Sequence, residues 1–440
     1  MTQAVSRVEG CAPAALISAP GSGQGKSLIT AGLARLHRNA GRRVRVFKFG
    51  PDYLDPMILA RASGAPVYQI QPWMTGEAEC RWRLAEAARD ADLVLVEGAM
   101  GLFDGSPSSA DLAQLCDLPV IPVIDAAGMA QTFAALALGL ARFRPGLRLR
   151  QVIANRIGSP RHGEMLAQGL SADLSLLGAV PRHPDLALPE RHLGLVQAEE
   201  LIDLDRRLDA VAAVLAEAGL DRLPEAVTLS ANCPAPPPAL LAGRRIAVAR
   251  DAAFGFLYQA NLDLLTAMGA ELCFFSPLND RTLPEVEALW LPGGYPEQHG
   301  GALSSNLAMR ASIRDHHRQG KPILAECGGL MYCMETLVDN KGRRHAMLGL
   351  LPGEALMMER LQGLGLHALS LPRGQLRGHT FHYSRLETPR VPDQHSEKQS
   401  GTGGEPVFRE GNLTASYFHG YFPSAPEAVA ALFVGDKDHA

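Results

Sequence analysis

Apolar residues along this chain fall into short continuous runs, separated by turn residues and by stretches in which they recur every three or four positions. The first run, Ala14–Ser18, meets a glycine-rich turn at Gly21–Gly25 and is followed by a helical pattern from Ser27 to Ala40. Further strand-like runs stand at Val44–Phe49, Leu93–Val96, Val120–Ile124 and Val152–Asn155, each ahead of a turn or helix pattern. Short apolar strands alternating with helices predict an α/β fold with a parallel sheet covered on both faces. From about Asp221 to Gly243 the alternation stops, and Cys233-Pro-Ala-Pro-Pro-Pro238 can continue neither a helix nor a central strand. It restarts at Arg245–Ala249, with helices near Tyr258–Met268 and Asn306–Gln319 and strands at Glu271–Phe275, Ala288–Leu291 and Pro322–Ala325. The reading is a first domain over residues 1–225, a Pro-rich linker over 226–243 and a second α/β domain over 244–440. The polar, Gly-, Ser- and Gln-containing stretch 389–406 is expected to form a mobile loop.

Composition narrows the function classes. Lys and Arg number 42 against 46 Asp and Glu, a net charge of −4, so no basic excess marks a nucleic-acid or anionic-membrane partner and a small-molecule substrate is favoured. The most apolar window, 118–143, is broken by Asp125, Gly128 and Gln131 and does not read as a membrane span. Residues 1–10 lack the apolar core of a signal peptide, so a cytoplasmic protein is expected. The 7 cysteines are odd in number and form no CxxC pair, which argues against a disulfide framework or a structural zinc site.

Two segments carry chemistry. Pro20-Gly-Ser-Gly-Gln-Gly-Lys-Ser27 fits the phosphate-loop pattern GxxxxGK[ST] except that Pro20 replaces the first glycine. Between a strand and a helix, Gly21, Ser22, Gly23, Gln24 and Gly25 can turn backbone N–H groups toward phosphate oxygens. Lys26 supplies charge, and the Ser27 hydroxyl can ligate Mg2+. Asp52 and Glu97 each follow a strand, and strand ends in an open parallel sheet converge on one crevice, so both could face that metal. For Asp52 and Asp55 the plainer alternative is turn initiation beside proline. Lys48 is a further candidate for phosphate.

In the second half, Pro322-Ile-Leu-Ala-Glu-Cys327-Gly-Gly is an apolar strand running into a helical pattern, as in a nucleophile elbow. A thiol at a helix N-terminus is expected to have a lowered pKa. Leu291-Pro-Gly-Gly-Tyr-Pro-Glu297 could supply an oxyanion hole through Gly294, together with the N–H of Gly328. His419, in Ser416-Tyr-Phe-His419-Gly-Tyr, would be the general base and acid.

With these residues in hand the chain resembles the a,c-diamide synthases of corrin biosynthesis, a group of glutamine amidotransferases. The resemblance spans nearly the whole chain. It rests on Gly50-Pro-Asp-Tyr-Leu-Asp-Pro56, Val96-Glu-Gly-Ala-Met-Gly-Leu-Phe-Asp-Gly105, Asp125-Ala-Ala-Gly-Met129, Pro189-Glu-Arg-His-Leu-Gly194, Leu291–Glu297 and Ala325-Glu-Cys-Gly-Gly329. It implies a dethiobiotin-synthetase-type phosphate-loop domain followed by a class I glutamine amidotransferase domain. It also implies that ATP phosphorylates a carboxylate of a corrinoid or related tetrapyrrole, with Ser27, Asp52 and Glu97 around Mg2+, and that ammonia from glutamine displaces the phosphate. By the same resemblance Tyr53, Leu54, Asp55 and Asp104 lie near the substrate and Asn155 reads adenine. One departure stands out. Most class I amidotransferases carry a Glu two residues after the catalytic His, whereas Tyr421 stands here, which implies a weakly oriented His419 and slow glutamine hydrolysis without the second substrate.

Cobyric acid synthase and a sirohydrochlorin-type diamide synthase are the nearest rivals, the first disfavoured by Gly50–Pro56. A partitioning-type ATPase would need a lysine where Gly21 stands. The choice between cobalt-containing and metal-free substrate, and whether the chain forms a homodimer, stay open at this level.

Overall fold

The computed structural model describes residues 6–182, 190–191, 194–195, 198–401 and 403–435. Its chain divides into two compact units between Ala235 and Pro236. In the first, strands β1 (Arg7–Ser18), β2 (Val44–Phe49), β3 (Tyr68–Ile70), β4 (Leu93–Glu97), β5 (Val120–Asp125), β6 (Gln151–Ile157) and β7 (Ser175–Pro181) lie in the order β3-β2-β4-β1-β5-β6-β7. Every neighbouring pair in that order is parallel. The order reverses at β1, so the carboxyl ends of β1, β4 and β5 open onto the crevice where such sheets bind ligands. Leu16 and Ile17, on opposite faces of β1, are both fully buried, as the apolar run required of a strand covered on two sides.

The helix Lys26–Asn39 that follows the glycine-rich turn packs on the helix Leu204–Glu217. Their close approach requires Gly32, because a Cβ there would stand 2.4 Å from Val211 Cγ1 and 2.6 Å from Leu215 Cδ1.

β1 begins earlier than its apolar run. Arg7–Pro13 pairs antiparallel with Ala226–Asn232, so the first residues of the stretch expected to be linker form a strand of the first unit. Both partners alternate, with Val8, Gly10 and Ala12 facing inward from one and Val227 and Leu229 from the other. Alternation this short is masked in the sequence by the neighbouring prolines. Of the motif at 189–194, Pro189, His192 and Leu193 lie outside the described residues.

In the second unit Glu271–Phe275, Arg245–Ala249, Ala288–Leu291, Ile323–Glu326 and Leu413–Ser416 form a parallel sheet in that order. It is continued antiparallel by Pro406–Glu410 and Gln394–His395. The parallel alternation is as expected, but a second structural layer is added. A hairpin of Gly363–Leu371 with Gly374–His382 pairs on one side with Glu397–Lys398 and on the other with His419–Gly420. The stretch expected to be a mobile loop therefore contributes strands to two sheets. Its backbone is held by partners, with Ser396 N–H donating to Glu405 O and Glu405 N–H to Ser396 Oγ, each at 2.9 Å. Polar composition signalled a loop because hydrogen bonding of this kind leaves no apolar pattern. Among the described residues no helix is long and apolar enough to cross a membrane, and all seven cysteines are free thiols.

Candidate active site

At the end of β1 the loop closes with Gly23 and Gly25 at φ +77° and +93°, conformations that only glycine adopts without strain. Gly25 is also sterically fixed, since a Cβ there would lie 2.4 Å from Asn155 Nδ2. Asn155, at the end of β6, donates from Nδ2 to the Gln24 carbonyl at 2.8 Å, and Gln24 Oε1 accepts from the Asp125 N–H at 2.8 Å. The loop is thus buttressed by strand ends on one side of β1. Lys26 is buried, its Nζ 3.5 Å from Gly21 O. Burial lowers its pKa, opposed chiefly by the charge of Glu97.

Across the crevice, β2 and β4 bring four charged side chains together. Ser27 Oγ donates to Glu97 Oε1 at 2.5 Å, and Lys48 Nζ is 3.2 Å from the same oxygen, 3.7 Å from Asp52 and in contact with Asp55. Glu97 is fully buried and its pKa is pushed up to about 7 by burial, with the Asp55 charge adding to the effect. Asp52 is pushed up to about 6 by burial and by Asp55. Burial alone would discharge Lys48, but Glu97, Asp55 and Asp52 outweigh it and hold the ammonium charged. In turn Lys48 overcomes the burial of Asp55 and keeps that carboxyl below its ordinary range.

Ser27, Asp52 and Glu97, singled out in the sequence, are thereby gathered with Lys48 and Asp55. Asp52 serves both of its readings, since its Oδ1 also accepts from the Leu54 N–H at 2.9 Å to open the helix Leu54–Ser63. Tyr53 is buried at the entry to that helix. Asp104 stands in the loop after β4, where it accepts from the Gly101 N–H at 2.9 Å and its charge acts on Lys26; the Leu102 N–H of the same loop binds Ala19 O at the end of β1.

The oxygen donors suit Mg2+. Glu97 Oε2 is buried without a hydrogen-bond partner, beside the Ser27 hydroxyl. No group of three His, Cys, Asp or Glu side chains among the described residues forms a metal cage. Mg2+ does not need one, because it binds through one or two carboxylates plus substrate phosphates and water.

In the second unit Cys327 stands between the strand Ile323–Glu326 and the helix Gly328–Cys333 at φ +48°, the strained geometry of an elbow. Its N–H donates to Ser416 O at 2.8 Å, tying it to the strand that leads to His419. Gly328 and Gly294 approach closely, for a Cβ on Gly328 would fall 3.0 Å from the Gly294 nitrogen. His419 is buried against Gly293, where a Cβ would lie 2.4 Å from its Cε1.

The electrostatics correct one expectation. The thiol is not lowered; burial, aided by the charge of Glu297, pushes it well above its ordinary value. Burial and the neighbouring His382 push His419 down to about 3. A short helix that begins at the thiol cannot offset complete desolvation. The resting pair is therefore a thiol and a neutral imidazole.

Several surrounding groups were not singled out from the sequence. Glu326 Oε1 accepts from the Gly420 N–H at 2.7 Å and Oε2 from Trp290 Nε1 at 2.8 Å. Glu405 accepts from Thr380 Oγ1 at 3.1 Å and lies 3.2 Å from His382 Nε2, while the His382 ring stacks on Tyr417 at 3.7 Å. Glu326 adjoins the thiol in sequence and Glu297 closes the Leu291–Glu297 motif, so adjacency could have flagged them. The Gly374–His382 strand carries no such signal.

A phosphate loop whose Ser27 meets the buried Glu97 in one unit, and a buried cysteine elbow tied to the strand that leads to a buried histidine in the other, fit a glutamine-using amide ligase with a nucleotide-binding domain. Residues 15–196 match the family model of the CobQ/CobB/MinD/ParA nucleotide binding domain, and residues 245–427 that of the CobB/CobQ-like glutamine amidotransferase domain. The chain belongs to the family of hydrogenobyrinate and cobyrinate a,c-diamide synthases. It is 59% identical to hydrogenobyrinate a,c-diamide synthase of Stutzerimonas stutzeri, over 96% of this chain and 98% of that one. It is 57% identical to the Pseudomonas aeruginosa protein of the same name, over 97% and 98%. It is 50% identical to cobyrinate a,c-diamide synthase of Herminiimonas arsenicoxydans, over 95% and 96%.

Proposed function

We propose that the protein amidates the a and c side-chain carboxylates of hydrogenobyrinic acid, with ATP and glutamine as co-substrates, in cobalamin biosynthesis. The observation that carries this reading is the presence, in one chain, of a Ser27–Glu97–Lys48 cluster at the phosphate loop and of a buried Cys327 elbow whose N–H is tied to the strand leading to the buried His419. In the first unit Gly21, Ser22, Gly23, Gln24 and Gly25 present backbone N–H groups to the ATP phosphates and Lys26 neutralises their charge. Ser27, Asp52 and Glu97 would hold Mg2+, which when bound spreads the charge of the transferring phosphoryl group. The substrate carboxylate takes the γ-phosphoryl group, giving an acyl phosphate and ADP. Asn155 is proposed at the adenine side, and Tyr53, Leu54, Asp55 and Asp104 at the macrocycle.

In the second unit His419 takes the Cys327 proton as sulfur attacks the glutamine amide carbon, with the oxyanion received by the N–H groups of Gly294 and Gly328. The proton then goes to the departing ammonia, and water hydrolyses the glutamyl thioester to glutamate. Ammonia attacks the acyl phosphate and releases phosphate, leaving the amide. The proposed setting is the cytoplasm, where ATP and glutamine are abundant.

Hydrogenobyrinic acid is preferred over cobyrinic acid because the relatives at 59% and 57% identity bear that name; the relative at 50% bears the other and supports cobyrinic acid as the second reading. Mass spectrometry of products made from each acid in parallel, with ATP, Mg2+ and glutamine, tests this. Two carboxylate-to-amide conversions are expected. ATP hydrolysis without amidation of either acid would refute the substrate.

A further inference from the structure

The residue two positions after His419 is Tyr421, so the amidotransferase lacks an acid at the place where one would orient the imidazole. The fold puts a different group against that ring. The Gly374–His382 strand pairs antiparallel with His419–Gly420, and His379 stands directly opposite His419 in the register. The two imidazole rings are stacked, with centroids 4.8 Å apart and planes within 13°. His379 is itself fixed from behind, since its Nδ1 and the Tyr258 hydroxyl share a hydrogen bond of 3.0 Å. Tyr258 is completely buried, packed edge-on against Tyr421 with centroids 5.9 Å apart. Gly293 also lies against the ring, since a Cβ there would fall 2.4 Å from His419 Cε1, and the Phe256 ring centroid is 6.4 Å away.

We infer that His379, anchored by Tyr258, is a positioning residue that orients His419 by ring stacking, in place of the acid absent at residue 421. A carboxylate orients an imidazole through a hydrogen bond and also stabilises its protonated form. A stacked neutral ring fixes the plane without supplying that charge. The pairing therefore supplies orientation without the charge of a carboxylate, and slow glutamine hydrolysis in the absence of the second substrate is the expected consequence. This rests on the proposed role of Cys327 and His419.

The test compares His379→Ala, His379→Phe and Tyr258→Phe in the full chain by glutamine hydrolysis and by alkylation of the thiol with a diazoketone analogue of glutamine, which needs no macrocycle. For His379→Ala, kcat is expected to fall about 10–100-fold, as for a misplaced catalytic group, with KM for glutamine changed by less than about twofold and alkylation slowed in parallel. His379→Phe keeps a flat ring and should recover part of that loss. Three results would overturn the inference: kcat of His379→Ala within about twofold of the parent, a rise in KM at unchanged kcat, or Phe performing no better than Ala. If His379→Ala unfolds, seen as a lost melting transition, Tyr258→Phe decides, with a drop in kcat at constant KM expected and no drop refuting the anchor. A parent protein that the diazoketone fails to alkylate would instead refute the Cys327 assignment itself.

Discussion

Glu326 Oε1 accepts the backbone N–H of Gly420 at 2.7 Å, so the residue just before the thiol holds the residue just after the imidazole. Two elements distant in sequence, 94 residues apart, are thereby locked at the point where their side chains must cooperate. The other carboxylate oxygen is satisfied by Trp290 Nε1. Replacing Glu326 by Leu leaves two buried donors without acceptors, each costing ~1–3 kcal/mol. The expected outcome is a lower melting temperature and loss of glutamine-dependent amidation, while amidation with added ammonia persists because it needs only the first unit.

Gly293→Ala isolates geometry from folding. Its Cβ would lie 2.4 Å from His419 Cε1, so the imidazole must move. Glutamine hydrolysis should fall by about 100-fold, the scale of a displacement near 1 Å at a catalytic group. Steady-state rates with glutamine and with ammonia, measured side by side, check this.

The resting thiol should be unreactive. Burial places Cys327 above its ordinary pKa and His419 down at about 3, so no thiolate–imidazolium pair exists before glutamine binds. Alkylation by iodoacetamide, scored at Cys327 by peptide mass spectrometry, should rise with pH up to 9 without a plateau. A plateau below pH 8 would show a preformed thiolate.

Lys48→Met should expose the charge balance of the phosphate site. The ammonium is the shared partner of Glu97, Asp52 and Asp55, and removing one member of a buried ionic cluster costs about 3–5 kcal/mol. Because the carboxylates would then lack a cation, Mg2+ should raise the melting temperature of the variant more than that of the parent. Scanning calorimetry with and without Mg2+ reads the difference.

Glu297 gives a pH-dependent prediction with a definite sign. Its folded pKa is raised from 4.5 to about 7 by burial, so its contribution to stability is full below pH 4.5 and is lost as pH rises through 7. Glu297→Gln removes that loss. The melting temperature of the variant relative to the parent should therefore increase from pH 5 to pH 8, and a flat difference would contradict the raised pKa.

Much of this molecule was legible in the sequence, and for a physical reason. The parallel strands Val44–Phe49, Arg245–Ala249, Glu271–Phe275 and Ala288–Leu291 have the bounds their apolar runs predict, and Ala288–Leu291, buried at every position, shows why: a strand covered on both faces has little room for a polar residue. Gly23, Gly25, Lys26 and Ser27 were legible because the loop is a contiguous motif between a strand and a helix, and Cys327 sits at a strand-to-helix junction that is equally contiguous.

Only the tertiary structure decided which distant groups meet. It joined Lys48 to Glu97, His379 to His419 and Glu326 to Gly420, and it paired Ala226–Asn232 with the start of β1. It also set the thiol above its ordinary pKa, where the helix start had suggested the reverse. Desolvation and cross-strand contact depend on what surrounds a residue in space, and that surrounding is assembled from segments whose local patterns carry no record of one another.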